Sequence, residues 1–196
     1  MIAIIDYKMG NLKSVKNALD SLGFENIITS DKNEILNADK VILPGVGAFK
    51  DAMEIIKSEG LDEVIKEVVK SKPLLGICLG FQLLFEKSYE FGECEGLGLL
   101  KGEIKRLDVP LKVPHVGWNS LDINPNSKLL KGLNQNYVYF VHSYYLDSNE
   151  PFVSSYTEYG TKLAVSVEQG NIYGTQFHPE KSGEIGLKIL KNFGDL

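Results

Sequence analysis

Between residues 1 and 86 short apolar runs alternate with amphipathic stripes, and few folds accept that pattern. Ile2 to Asp6, Asn26 to Thr29, Lys40 to Leu43 and Leu74 to Ile77 read as strands. Between them lie helical stripes at Leu12 to Leu22, Asp31 to Asn37, residues 50–58 and Leu61 to Lys70. In the first stripe Leu12, Val15, Leu19 and Leu22 share one face. Asn11 stands where a side-chain cap is expected, and Gly23 where a left-handed residue ends a helix. Strands alternating with helices imply an α/β fold with a doubly wound, mostly parallel sheet. Its ligand crevice lies outside the carboxyl ends of the strands, where Tyr7, Gly45 and Cys78 all fall.

After residue 90 the texture changes. Gly92, Gly96, Gly98 and Gly102 punctuate short apolar pieces. Leu97 to Leu107, Lys112 to Ile123, Tyr137 to Leu146, Phe152 to Tyr159, Lys162 to Glu168 and Ile172 to Phe177 read as strands and hairpins, so antiparallel strands are expected to extend the sheet. Gln169-Gly170-Asn171 reads as a hairpin turn, and Ser182 to Phe193 as a closing helix. With 196 residues, 43% of them hydrophobic, residues 1–196 are expected to form one domain around one sizeable core. A net charge of −5 without a basic block argues against nucleic acid as a partner. No apolar stretch approaches a membrane span, and Met1 to Asp6 lacks the charged start and cleavage site of a signal peptide. Cys78 and Cys94 make no disulfide framework, so a reduced, cytoplasmic setting is expected.

The chemistry centres on Gly76-Ile77-Cys78-Leu79-Gly80. A strand ends just before the cysteine and a helix, expected over Leu79 to Phe85, begins just after it. That is the form of a nucleophile elbow, in which small flanking residues allow close backbone approach. A helix start favours the thiolate, and the N–H of Leu79 is placed to donate to an oxyanion. The competing reading is an inert cysteine buried in an α/β core. Cys94, between Glu93 and Glu95, reads as inert because acids oppose thiolate formation.

Catalysis needs a base. Of the three histidines His115, His142 and His178, the last has suitable company in Gln176-Phe177-His178-Pro179-Glu180. In an extended segment His178 and Glu180 would face one side, so Glu180 could orient the ring while its other nitrogen acts as base. Cys-His-Glu then supplies nucleophile, base and orienter. His115 and His142 have no role fixed by spacing. The loop Pro44-Gly45-Val46-Gly47-Ala48-Phe49 reads as a phosphate cradle, as a second oxyanion donor, or as a backbone approach to substrate. No metal-ligand spacing occurs.

Cys78 in Gly76-Ile77-Cys78-Leu79-Gly80-Phe81-Gln82, with Phe177-His178-Pro179-Glu180 downstream, resembles the class I (triad) glutamine amidotransferases. The resemblance implies a flavodoxin-like α/β domain that hydrolyses L-glutamine through a γ-glutamyl thioester, with catalytic Cys78, His178 and Glu180 and no metal or organic cofactor. Asp6-Tyr7 with Gly10-Asn11, Pro44 to Phe49, Pro114-His115-Val116-Gly117-Trp118-Asn119 and Phe140-Val141-His142-Ser143-Tyr144 narrow it. They resemble the branch whose glutaminases pass ammonia to a (β/α)8 cyclase partner in a heterodimer that makes imidazole glycerol phosphate and AICAR in histidine biosynthesis. The resemblance implies an oxyanion hole of Val46, Gly47 and Leu79, glutamine contacts from Gly45, Gln82, Ser143 and Tyr144, and a partner interface through Met9, Asn11 and Trp118. A paralogue feeding another synthase, such as one making amidino-sugars, shares this chemistry. A silent assembly subunit and a self-sufficient Cys-His-Glu peptidase or esterase are the readings from other classes.

Overall fold

The computed structural model describes residues 1–133 and 137–196. The elements, in chain order, are β1 (Ile2–Ile5), α1 (Leu12–Ser21), β2 (Asn26–Thr29), α2 (Lys32–Asn37), β3 (Lys40–Leu43), α3 (Phe49–Ser58), α4 (Leu61–Val68), β4 (Leu74–Ile77) and α5 (Leu79–Leu83). The second half adds β5 (Lys87–Ser88), β6 (Cys94–Glu95), β7 (Glu103–Arg106), β8 (His115–Ser120), β9 (Asp122–Ile123), β10 (Tyr137–His142) and β11 (Tyr144–Asp147). It ends with β12 (Val153–Glu158), β13 (Lys162–Gln169), β14 (Ile172–Thr175), a 3₁₀ turn (Pro179–Lys181) and α6 (Gly183–Gly194).

The main sheet runs in the order β2-β1-β3-β4-β14-β13-β11-β7-β5-β6. Its first five strands are parallel, and β1 and β4 are buried at every residue, as strands covered on both faces must be. One face is covered by α2, α3 and α4 through Ile35, Phe49, Met53, Leu61 and Ile65. The other packs on α1 and α6 through Val15, Leu19, Ile189 and Phe193. Antiparallel strands begin at β13, which pairs residues 166–169 with β14, Ala164 with β11 and residues 162–167 with β12. A separate ribbon pairs β8 with β10, His115 opposite His142 and Trp118 opposite Tyr139. The mostly parallel α/β fold with antiparallel additions is as expected.

Four local expectations fail. Asn11 caps α1 with its backbone carbonyl, which accepts from Ser14 and Val15, and not with its side chain. Helix α5 stops at Leu83 instead of Phe85, and residues 97–102 are not strand. The two departures share a cause: the N–H groups of Leu97 and Leu99 donate to the carbonyls of Leu83 and Leu84 at 2.9 Å, so this segment ends the helix instead of pairing in a sheet. The expected strand Tyr137 to Leu146 is broken at Ser143, where the chain leaves the ribbon for the main sheet. Gly170, with φ of +59°, makes the expected hairpin turn between β13 and β14.

Candidate active site

Cys78 sits between β4 and α5 with φ of +55° and ψ of −106°, a conformation that non-glycine residues rarely adopt. Both flanking glycines are explained by contact. A Cβ at Gly80 would lie 1.8 Å from the carbonyl oxygen of Leu43, and one at Gly76 would lie 2.7 Å from the Gly80 oxygen. The elbow therefore exists because β3, β4 and α5 approach closer than any side chain allows. The pairing of β4 with β14 sets Ile77 opposite Thr175, and the Cys78 N–H donates to the Thr175 carbonyl at 2.8 Å. That register carries His178, three residues past Thr175, to the same end of the sheet as the thiol.

His178 and Glu180 do meet, but not as two residues of an extended strand. Pro179 to Lys181 form a 3₁₀ turn with His178 as its cap, and this turn swings Glu180 Oε1 to 2.8 Å from His178 Nδ1. Both side chains are about 2% exposed. Ser182 locks the turn by donating to the His178 carbonyl at 2.6 Å and accepting from the Tyr139 N–H of β10. With Nδ1 engaged by the carboxylate, Nε2 is left over and makes no hydrogen bond of ordinary geometry among the described residues, though it faces the Cys78 side. Burial lowers the histidine's proton affinity, but Cys78 and Glu180 more than offset it and push the pKa up to about 10. The ring is thus poised to hold a proton that a leaving group can take.

A cavity of about 360 Å³ opens beside these residues. Val46, Gly47, Cys78, Leu79, Gln82, Ser143, Tyr144 and His178 line it, so eight of the expected site residues are brought together. Gly45 is not among its walls. Its carbonyl instead accepts from the Leu79 N–H at 3.3 Å. One expected oxyanion donor is therefore occupied, and the Gly45–Val46 peptide turns its oxygen toward Leu79. Gln82 donates through its amide nitrogen to Gln176 Oε1 at 2.9 Å and to the Tyr144 carbonyl at 3.2 Å, which spends that nitrogen on the wall itself. Met9, Asn11 and Trp118 lie outside the cavity; the Met9 methyl packs where a Cβ at Gly47 would stand.

Sequence reasoning missed Glu90, the one carboxylate among the described residues that line the cavity. Its Oε2 accepts from the Phe49 N–H at 2.7 Å, at the start of α3. An acid on that helix terminus removes the phosphate-cradle reading of the glycine loop, because the anion position is taken. No local pattern marks Glu90; only the long-range bond to Phe49 reveals it. His115 and His142 are also informative. His142 Nδ1 lies 2.9 Å from the Tyr144 carbonyl and must donate to it, so Nε2 accepts from His115 Nδ1 at 3.0 Å. Burial lowers both pKa values to about 4, keeping the pair neutral. Cys94 has a raised pKa, chiefly from burial, with Glu54 and Glu95 adding and Lys57 and Lys50 opposing. Among the described residues no group of three His, Cys, Asp or Glu side chains could hold a metal ion.

A thiol on a strained strand-to-helix turn, a histidine held by a carboxylate and a small cavity between them define an α/β protein equipped for acyl transfer through sulfur. The chain belongs to the class-I glutamine amidotransferases: the model of that family matches residues 3–195. It is 56% identical over 195 residues to the imidazole glycerol phosphate synthase subunit HisH of Bacillus cereus (strain G9842), covering 98% of this chain and 93% of the relative. It is 55% identical over 199 residues to the HisH subunit of Caldanaerobacter subterraneus subsp. tengcongensis, covering 100% of this chain and 98% of the relative. Among solved structures, a glutamine amidotransferase superposes with a TM-score of 0.78 at 22% identity, over 99% of this chain and 100% of that one. A chain of PurLQS from Thermotoga maritima gives 0.77 at 21%, over 98% and 96%. These two likenesses establish the fold.

Proposed function

We propose that the chain is the glutaminase subunit of an imidazole glycerol phosphate synthase, with residues 1–196 acting as one cytoplasmic domain. Cys78, His178 and Glu180 are its triad. The Cys78 sulfur attacks the side-chain carboxamide carbon of L-glutamine. The C–N bond of the tetrahedral intermediate breaks as His178 gives its proton to the departing ammonia. A γ-glutamyl thioester remains on Cys78, and His178 then takes a proton from the water that releases glutamate. Glu180 accepts from Nδ1–H throughout and keeps Nε2 toward the sulfur. Glu90 pairs with the α-ammonium of the substrate through the oxygen that Phe49 leaves free. The reaction as written draws on no metal or organic cofactor.

The observation that carries the reading is the cavity itself: a thiol and an oriented histidine in one wall, and a single carboxylate among the lining residues, suit an amino acid with a reactive amide. The occupied Leu79 N–H supports control by a partner. In the isolated chain the oxyanion hole lacks both donors until the Gly45–Val46 peptide turns over, releasing Leu79 and presenting the Val46 N–H. A surface for that partner adjoins the cavity. Val116, Trp118 and Tyr137 are more than half exposed on the β8–β10 ribbon, while Val46 and Val141, also exposed, line the cavity mouth. The partner is a (β/α)8 cyclase in a heterodimer. It receives the ammonia directly and joins it to N′-[(5′-phosphoribulosyl)formimino]-aminoimidazole-carboxamide ribonucleotide, giving imidazole glycerol phosphate and AICAR.

The test is glutamate release by the chain alone, with the cyclase, and with cyclase plus nucleotide. Cys78→Ala is expected to abolish glutamine-dependent synthesis and leave ammonium-dependent synthesis intact. Glutamate release surviving in Cys78→Ala, or full activity of the isolated chain, overturns the reading.

A further inference from the structure

The mechanism above leaves one buried polar group at the site idle. Tyr7 follows β1, at the carboxyl end of the sheet, and is fully buried. Its hydroxyl has no hydrogen-bond partner among the described residues. A buried hydroxyl in that condition is unfavourable, and a fold that keeps one needs a reason. Its position supplies the reason. A Cβ built on Gly45 would lie 2.1 Å from Tyr7 Oη, 3.0 Å from Leu79 Cβ and 3.1 Å from the Gly80 nitrogen. The hydroxyl therefore rests against the α-carbon of Gly45, at the root of the peptide that obstructs the oxyanion hole. It is not a wall of the cavity; it stands behind the loop. Burial and the nearby Cys78 hold its pKa well above the usual phenol value, so it remains a donor.

Turning the Gly45–Val46 peptide strips the Gly45 carbonyl of its bond to Leu79. A buried carbonyl needs another donor. The other orphaned buried side-chain atoms among the described residues are Asn26 Oδ1, His178 Nε2 and Glu180 Oε2, and none of them adjoins Gly45 as Tyr7 Oη does. We propose that Tyr7 is a positioning residue: its hydroxyl donates to the Gly45 carbonyl once the Gly45–Val46 peptide has turned over, and so latches the oxyanion loop in its catalytic form. The proposal rests on the partner-gated glutaminase reading. In the resting form Gly45 is bonded to Leu79 and the phenol is idle. In the working form Tyr7 takes the carbonyl, and Leu79 and Val46 both face the oxyanion. The loop exchanges one hydrogen bond for another, so a modest bias from the partner suffices to move it. A hydroxyl that merely fills space beside a glycine would have no such second state.

The experiment compares the wild-type heterodimer with one carrying Tyr7→Phe, with and without the nucleotide. Readouts are glutamate release, ammonium-dependent synthesis and the melting temperature of the chain. Tyr7→Phe is expected to melt at or above wild type, since it deletes an unpaired hydroxyl, and to keep ammonium-dependent synthesis. Its stimulated kcat for glutamine should fall roughly five- to tenfold, the value of one neutral hydrogen bond, with KM little changed and basal turnover falling by less. Equal stimulated kcat in the two proteins overturns the latch and leaves the glutaminase reading standing. A lowered melting temperature with equal losses of basal and stimulated turnover assigns the hydroxyl to the fold and also overturns it. Absence of stimulated glutamate release from wild type overturns the glutaminase reading and the latch together.

Discussion

Replacing Val46 by proline deletes one N–H and fixes φ beside the peptide that must turn, so both effects fall on the same step. The side chain is 42% exposed, so its packing contributes little. The Val46 N–H has no partner among the described residues, so the resting form loses no hydrogen bond. The working form loses one of its two oxyanion donors. Loss of such a donor typically costs about 2.7–4 kcal/mol, or roughly 10²–10³ in rate. In the proposed resting form that donor is already turned away, since the Gly45 carbonyl points to the Leu79 N–H. Val46→Pro should therefore leave basal glutamine turnover close to its low resting value and remove most of the stimulation by cyclase and nucleotide. The assay is glutamate release by the chain alone and in the stimulated heterodimer. Ammonium-dependent synthesis by the same preparation reports whether the heterodimer has assembled. Stimulation of Val46→Pro to the wild-type rate would refute the peptide-flip account, since proline cannot supply the missing hydrogen.

Glu90→Gln keeps an oxygen for the Phe49 N–H but loses the charge offered to an α-ammonium; KM for glutamine should rise about 10- to 100-fold with a smaller change in kcat, measured by steady-state kinetics. His178→Ala should match the loss of Cys78 in glutamate release, while Glu180→Gln should cost less, because Ser182 still anchors the histidine's backbone. Thermal melts against pH should lose stability on the acid side through His142 and on the alkaline side through His178. His142 has a folded pKa of about 4, so the unfolded chain binds more protons between 4 and 6.5; stability falls with acid there, by up to roughly 3 kcal/mol for this residue. His178, raised to about 10, works in the opposite sense: its contribution is complete below the unfolded value and fades as pH rises through the folded one. His142→Asn should flatten the acid limb and His178→Ala the alkaline one, and melts unchanged by either substitution would contradict both assignments.

The parallel half was legible because burial on both faces writes itself as continuous apolar runs. β1, β3 and β4 are such runs, and the bounds read from them hold to within a residue. The elbow was legible because Gly76 and Gly80 are forced by backbone contact, which leaves a local mark. The second half was harder to read. Apolar residues at 97, 99 and 100 look like strand, yet their N–H groups end α5, a bond between segments that share no periodicity. Ser143 interrupts what reads as one strand because its two ends join different sheets. Glu90 and the His115–His142 pair left no local mark at all. Each is defined by a partner distant in sequence: Phe49 for the acid, a facing strand for the histidines.

The site's coupling to its surroundings follows from the same division. The proposed nucleophile, Cys78, comes from the parallel half and the proposed base, His178, from the turn after β14, joined by the register that sets Ile77 opposite Thr175. The base is further tied to the ribbon, since Ser182 bonds the His178 carbonyl on one side and the Tyr139 N–H on the other, and the His178 N–H donates to the Tyr139 carbonyl at 3.0 Å. Tyr139 lies opposite Trp118 on the exposed face of that ribbon. On the proposed reading, a partner pressing on Trp118 would act on the strand that anchors His178, and would also reach Val46 at the cavity mouth. The proposed base, His178, and the proposed oxyanion donor, the Val46 N–H, both sit on elements that reach the exposed face. The nucleophile is held by strained backbone in the core and needs no outside support. Control by a partner is therefore expected to act on the oxyanion loop and the base, and to leave the position of Cys78 unchanged.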